Sequence, residues 1–197
     1  MSPKSRGRPP GRGKRRQPTS RGGRSNVARP WGSQPTLRAG QAEDCWFDDP
    51  VPGDRRSWAV PPAHGTYLDL DLELLNPDDE DDLTFLMEAL HPDFGDALRT
   101  DEEMVVNGEP FSPRLHVTLH HVVASQLLAD EPPDTWLTVQ RLAGLGYDWH
   151  NIIHMIAGVV GDDLYEALKK QRTFDPADYA RRLSGLPGDW PPPEALS

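Results

Sequence analysis

RLHVTLHHVVASQLL (residues 114–128) and WHNIIHMIAGVVGDDL (residues 149–164) decide how this chain is read. Each is of helix length and carries two histidines four residues apart, His116 with His120 and His150 with His154. That spacing is slightly more than one helical turn, so each pair projects from one face. Four of the 7 histidines fall in these two pairs. At about 100° per residue, the apolar face of the first segment is Leu115, Leu119, Val122, Val123 and Leu127, with His116 and His120 along one edge. His121 falls opposite, beside Arg114 and Ser125, and is expected to be solvated. In the second segment Ile153, Ile156, Val160, Leu164 and Ala167 form the apolar face. His150 and His154 lie at its edge in line with Ala157, Gly158 and Gly161, small residues that permit close helix approach.

Two readings of the four imidazoles follow. Packed face to face, His116, His120, His150 and His154 converge and share a divalent metal, which needs Zn–N bonds of about 2.0–2.1 Å. Alternatively they only hydrogen-bond to one another, to backbone or to water. Imidazole-only ligation suits zinc, copper, nickel or iron, with zinc the first expectation. The segment HNIIH is similar to the metalloprotease pattern H-E-x-x-H but has Asn151 in place of the glutamate base. An amide cannot take the proton from a metal-bound water, so hydrolysis of that type is not expected. The folded part shows no Gly-rich phosphate loop and no serine or cysteine nucleophile in a recognisable context.

Helix signals extend outward from these segments. Ser112-Pro113 caps and opens the first, which is expected to run to about Asp130. Pro132-Pro133 then break the chain, and Asp134 opens a helix to about Leu145. Asp148 caps a third helix reaching about Arg172, and Asp175-Pro176 open a fourth over about 176–184. Upstream, Asn76-Pro77 is expected to start a helix with Leu83, Leu86, Met87 and Leu90 on its apolar face, stopped by His91-Pro92. A short helix near 93–99 and a turn at Asn107-Gly108 follow. YLDLDLELL alternates from Leu68 to Leu74, the period of an extended strand. RLAGLGYDW (141–149) and RLSGLPGDW (182–190) echo one another as a shared way of ending a helix. Short connections favour antiparallel neighbours. The expected fold is therefore mainly α: a small antiparallel helical domain at 76–190. An acidic and aromatic linker that is partly extended (41–75) precedes it, and a disordered tail (191–197) follows. Trp46, Phe47 and Trp58 of the linker are expected to dock on the body.

Charge divides the chain sharply. Residues 1–40 hold 11 Lys and Arg and no acid, whereas the remainder holds 10 basic and 31 acidic residues. The first 40 residues have almost nothing apolar to bury and are expected to form a disordered basic arm. Arg6-Gly7-Arg8-Pro9, followed by Arg12, Lys14, Arg15 and Arg16, resembles an AT-hook, in which Arg-Gly-Arg enters the narrow minor groove of A·T tracts. DNA is the expected partner of this arm. A GC-rich genome or a mis-assigned start codon would also produce such a stretch. Cys45 is the only cysteine, so no intramolecular disulfide or Cys-rich zinc site forms. No apolar run reaches the about 18 residues of a membrane span, and the N-terminus lacks the apolar centre of a signal peptide. A cytoplasmic, nucleoid-associated location is expected.

From about Asn76 to Trp190, and especially in SPRLHVTLHHVVASQLL, DEPPDTW, RLAGLGYDWHNIIHMIAGVV and DDLYEAL, the chain resembles the bacterial family catalogued as domain of unknown function 1841. That family's pattern opens Asn-Pro-x-Leu-His, with a second His four residues on, Gln-Leu, a Pro-rich turn, Gly-Tyr and a second His pair. The resemblance implies a small helical domain in a cytoplasmic bacterial protein, and it carries the paired histidines onto His116, His120, His150 and His154 and the glutamine onto Gln126. His121 and Asn151 stand where relatives have Glu, and Ser112 where they have Asn. The expected function is a non-enzymatic regulatory or nucleic-acid-associated module with a metal-holding body. The alternative is a metal-dependent enzyme, which would need an open coordination position.

Overall fold

The computed structural model describes residues 45–106 and 108–196. The basic arm, with Arg6, Gly7, Arg8, Arg12, Lys14, Arg15 and Arg16, lies outside the described residues. What is described is mainly helical, as expected, with two small antiparallel sheets. No helix among the described residues is long and apolar enough to cross a membrane.

The organising element is α4, Pro113–Ala129. It begins as the sequence expects, with Pro113 in the first turn and the Ser112 hydroxyl accepting from the Leu115 N–H at 3.2 Å. Its buried face is broader than a single stripe and turned from the expected one. His116, Val117, Leu119, His120, Val123, Ala124 and Leu127 are buried, whereas Leu115 is 47% exposed and Val122 only half-buried. The cause is the number of neighbours: α4 packs against α1 (Arg55–Ala59), α2 (Glu80–Ala89), α5 (Pro133–Gly144) and α6 (Trp149–Lys170) together. A face derived from one partner is therefore too narrow.

The opening of α6 is walled on every side, so Ile152 through Ala157 are consecutively buried. Asp148 caps it, accepting from the Asn151 N–H at 2.8 Å. From Asp162 onward the helix is half-buried or exposed, and Leu164 of its expected apolar face is open, as is Leu168. Close approach to α4 occurs at Gly161, where a Cβ would meet Leu119 Cδ1 at 3.3 Å, but not at Gly158, which has no atom within 4 Å of that position. The last helix, α7 (Pro176–Ser184), is joined to α6 by Arg182, which donates to the Val159 carbonyl at 3.0 Å and pairs with Asp163 at 2.5 Å.

The region before α4 differs most from expectation. Strands β1 (Cys45–Phe47), β2 (Ala63–Tyr67) and β3 (Leu70–Asp71) form an antiparallel sheet in that order. The alternating stretch 68–74 is not one strand. Leu68 and Asp69 take left-handed φ values of 47° and 65°, folding the chain back so that only Leu70 and Asp71 pair with β2. Leu72–Leu74 then form a 3-10 turn capped by Asp71. Helix α2 starts at Glu80 rather than at Asn76, because the Asp79 carboxylate accepts from the Asp81 and Asp82 N–H groups at 3.0 and 3.2 Å. Asn76 instead shapes the turn before it, its side chain accepting from the Asp78 N–H. A 3-10 turn at Pro92–Phe94 leads into α3 (Gly95–Thr100), and β4 (Met104–Val106) pairs with β5 (Glu109–Phe111). The linker docks on the body as expected: Trp58 is buried, and the Trp149 indole donates to its carbonyl at 2.9 Å. Arg55 reaches the Leu127 and Leu128 carbonyls at the end of α4. Trp46 stays exposed.

Gln126 ties the late helices together. Its side-chain carbonyl accepts from the Thr135 hydroxyl at 2.9 Å and the Tyr179 hydroxyl at 2.8 Å, joining α4 to α5 and α7. Both donors are buried. Gln126→Leu removes their acceptor, and an unsatisfied buried hydroxyl costs about 1–3 kcal/mol. Urea denaturation of Gln126→Leu should show a loss of that size. An unchanged midpoint would mean that the hydroxyls find other acceptors.

Candidate metal centre

Four imidazoles meet beside α4. His91, His116, His120 and His154 each offer a ring nitrogen, and these atoms lie within 4.8 Å of one another. Ring centroids are 4.6 Å apart for His91 and His120, 4.4 Å for His116 and His120, and 4.8 Å for His120 and His154. All four residues are 5% exposed or less. Tetrahedral zinc with Zn–N of about 2.1 Å places its ligand atoms about 3.4 Å apart. The widest pair therefore needs to close by little more than an ångström, a rotamer-scale adjustment.

Three of the four histidines expected from the sequence are thus brought together, and the fourth place belongs to His91. His150 sits one ring further out, 4.0 Å from His154 and 6.4 Å from His120, and is only half-buried. The sequence marks His91 merely as the residue before a helix-stopping proline. A signal was present all the same: Leu83, Met87 and His91 recur at four-residue steps, which carries the buried stripe of α2 directly to this histidine.

The local structure aims His91 inward. Its Nδ1 donates to the Met87 carbonyl at 2.7 Å, which fixes the tautomer and leaves Nε2 as a buried lone pair without a hydrogen-bond partner. A backbone carbonyl in that role is the usual outer support of a metal-ligating imidazole. His120 is the extreme case, fully buried with no hydrogen bond to either ring nitrogen among the described residues. Phe94 and Phe111 wall the cluster, their centroids 5.4 and 5.5 Å from His116.

Burial sets the protonation. Desolvation holds His91 down to about 4, with repulsion from His150 in the same direction and the Met87 bond opposing. Desolvation also holds His116, His120 and His154 well below the usual imidazole range, reinforced by their neighbours' charges. The cluster is therefore neutral at physiological pH, the form that donates lone pairs to a metal.

Asn151 and His121 do not join the cluster. Asn151 is engaged elsewhere, its amide nitrogen donating to both Asp148 carboxylate oxygens at 3.0 and 2.9 Å and its oxygen accepting from the Trp190 indole at 3.2 Å. A glutamate there would face the Asp148 carboxylate. His121 is half-buried on the other side of α4, near the Ser125 hydroxyl.

A family model described as domain of unknown function 1841 matches residues 78–185, over half of the chain, and spans all the histidines of this cluster. No curated protein and no solved structure matches the chain.

Two outcomes follow for the metal-stripped protein. Unfolded histidines titrate near 6.5, so above that pH folded and unfolded chains both hold the cluster neutral and its stability is intact. As pH falls from about 6.5 toward 4, the unfolded chain takes up protons that the folded cluster refuses. Stability then drops by up to about 1.4 kcal/mol per pH unit per histidine. Thermal denaturation in chelator between pH 7.5 and 5 should show this fall, and a flat profile would contradict it. His120→Leu replaces two unpartnered buried nitrogens with carbon. It should raise the melting temperature of the stripped protein, by about 1–3 kcal/mol in stability.

Proposed function

The chain belongs to the family described as domain of unknown function 1841, and we propose that it is a non-catalytic, metal-stabilised helical module carrying a DNA-contacting basic arm. The observation that supports the metal reading is the closed set of four buried imidazoles, His91, His116, His120 and His154. Burying an imidazole nitrogen without a partner costs free energy. A metal ion returns that cost at His91 and His120, whose buried nitrogens lack a hydrogen-bond partner among the described residues, and it joins α4, α6 and the end of α2. Zinc is the first choice, because four neutral nitrogen donors in a compact cage match its tetrahedral preference.

Four protein ligands fill a tetrahedral shell and leave no position for water or substrate, which is the character of a structural rather than a catalytic zinc site. Asn151, held by Asp148 and Trp190, supplies no carboxylate base beside the cage. These two features favour a module over an enzyme.

The DNA reading rests on the sequence of residues 1–40, with a charge of +11 beside the AT-hook-like Arg6-Gly7-Arg8-Pro9. Such an arm binds by counterion release, weakly and with modest A·T preference. A cytoplasmic, nucleoid-associated location goes with it.

Elemental analysis of untagged full-length protein should find one zinc per chain, and a melting temperature that falls on adding chelator. Absence of metal together with no response to chelator would leave the histidines as core residues. For the arm, about five neutralised phosphates give a slope of log affinity against log salt near −4 to −5. Deleting residues 1–30 should abolish retention on DNA, and undiminished binding would remove the arm from the account.

A further inference from the structure

We infer that His150 is the port ligand through which a divalent metal ion passes into the four-histidine cage. The inference rests on the cage being a metal site. All four cage histidines are 5% exposed or less, so a hydrated ion cannot reach them directly. His150 alone among the histidines near the cage combines contact with it and access to water. Its ring lies 4.0 Å from His154, closer than any ring separation within the cage, and the residue is half-buried.

The chemistry is a stepwise ligand exchange. An imidazole nitrogen of His150 displaces one water from the hydrated ion at the surface. The His154 ring beside it displaces the next. As His120, His116 and His91 engage, the remaining waters leave and His150 lets go. No bond other than metal–ligand bonds is made or broken, and no electron is transferred. His150 lies in the first turn of α6, where the helix dipole repels cations. The exposed carboxylate of Asp148, which caps the same helix, offsets that repulsion on the solvent side.

Residues that could serve the same purpose are placed elsewhere. His121 faces away from the cage near Ser125, and His64 is held between Asp48 and Glu73 at the small sheet. The aromatic walls Phe94 and Phe111 carry no donor.

The test uses metal-stripped full-length protein mixed rapidly with cobalt(II) chloride, whose tetrahedral complexes absorb visible light. His150→Gln and His150→Glu are compared with the parent after circular dichroism has matched their folds. All three should reach the same final absorbance at one cobalt per chain. His150→Gln should load, and release to chelator, about tenfold more slowly, the scale on which supporting residues act at metal sites. His150→Glu keeps a ligating atom and should restore fast loading. Equal rates for His150→Gln and the parent would overturn the port role while leaving the cage intact. A lower final absorbance in both variants would make His150 a resting ligand and overturn it as well. A parent that develops no cobalt absorbance would remove the cage, and the port with it.

Discussion

An imidazole ring placed where water does not reach must find partners for its nitrogens, and four such rings meet in this fold at one point. His120 has none among the described residues, and His91 has one, the Met87 carbonyl. Everything near the point is arranged by α4, which supplies two of the rings and packs against several other helices. The end of α2 and the first turns of α6 supply the others. Without an ion, this junction is an expensive core held neutral by desolvation. With one, the same groups become the strongest cross-link between elements far apart in sequence, because a metal bound only in the folded state adds its binding energy to folding.

Most of the helical body was legible in the sequence, because local chemistry decides it. Ser112-Pro113, Asp148 and Asp175-Pro176 cap and open their helices within a residue of expectation. His116, His120 and His154 of the two pairs converge, since a four-residue step leaves little freedom, while His150 stays one ring outside. What escaped was set by tertiary packing. His91 has no second histidine at helical spacing, and its four-residue step from Met87 gains meaning only from the way α2 lies on α4. The alternation over Leu68–Leu74 read as one strand, yet two left-handed residues turn it into a hairpin and a 3-10 turn. The buried side of α4 is likewise rotated from the face its own periodicity marks, because several helices rather than one pack on it.

Asn151 and His121 both lie outside the cage. Asn151 donates to Asp148 and accepts from Trp190, so the helix cap and the segment after α7 depend on an amide that a carboxylate could not replace. His121 points away from the ion's place. The cage is thus built of neutral donors only, and a divalent ion in it keeps its full positive charge in a dry pocket lined by Phe94 and Phe111. Such a site favours tight, slow exchange over turnover.

X-ray absorption at the zinc edge of zinc-loaded full-length protein tests the central claim most directly. The account predicts a single shell of four nitrogens at about 2.0–2.1 Å, with the outer scattering of four imidazole rings. Fewer than three imidazoles, a sulfur at about 2.3 Å, or failure of the protein to retain zinc would contradict it.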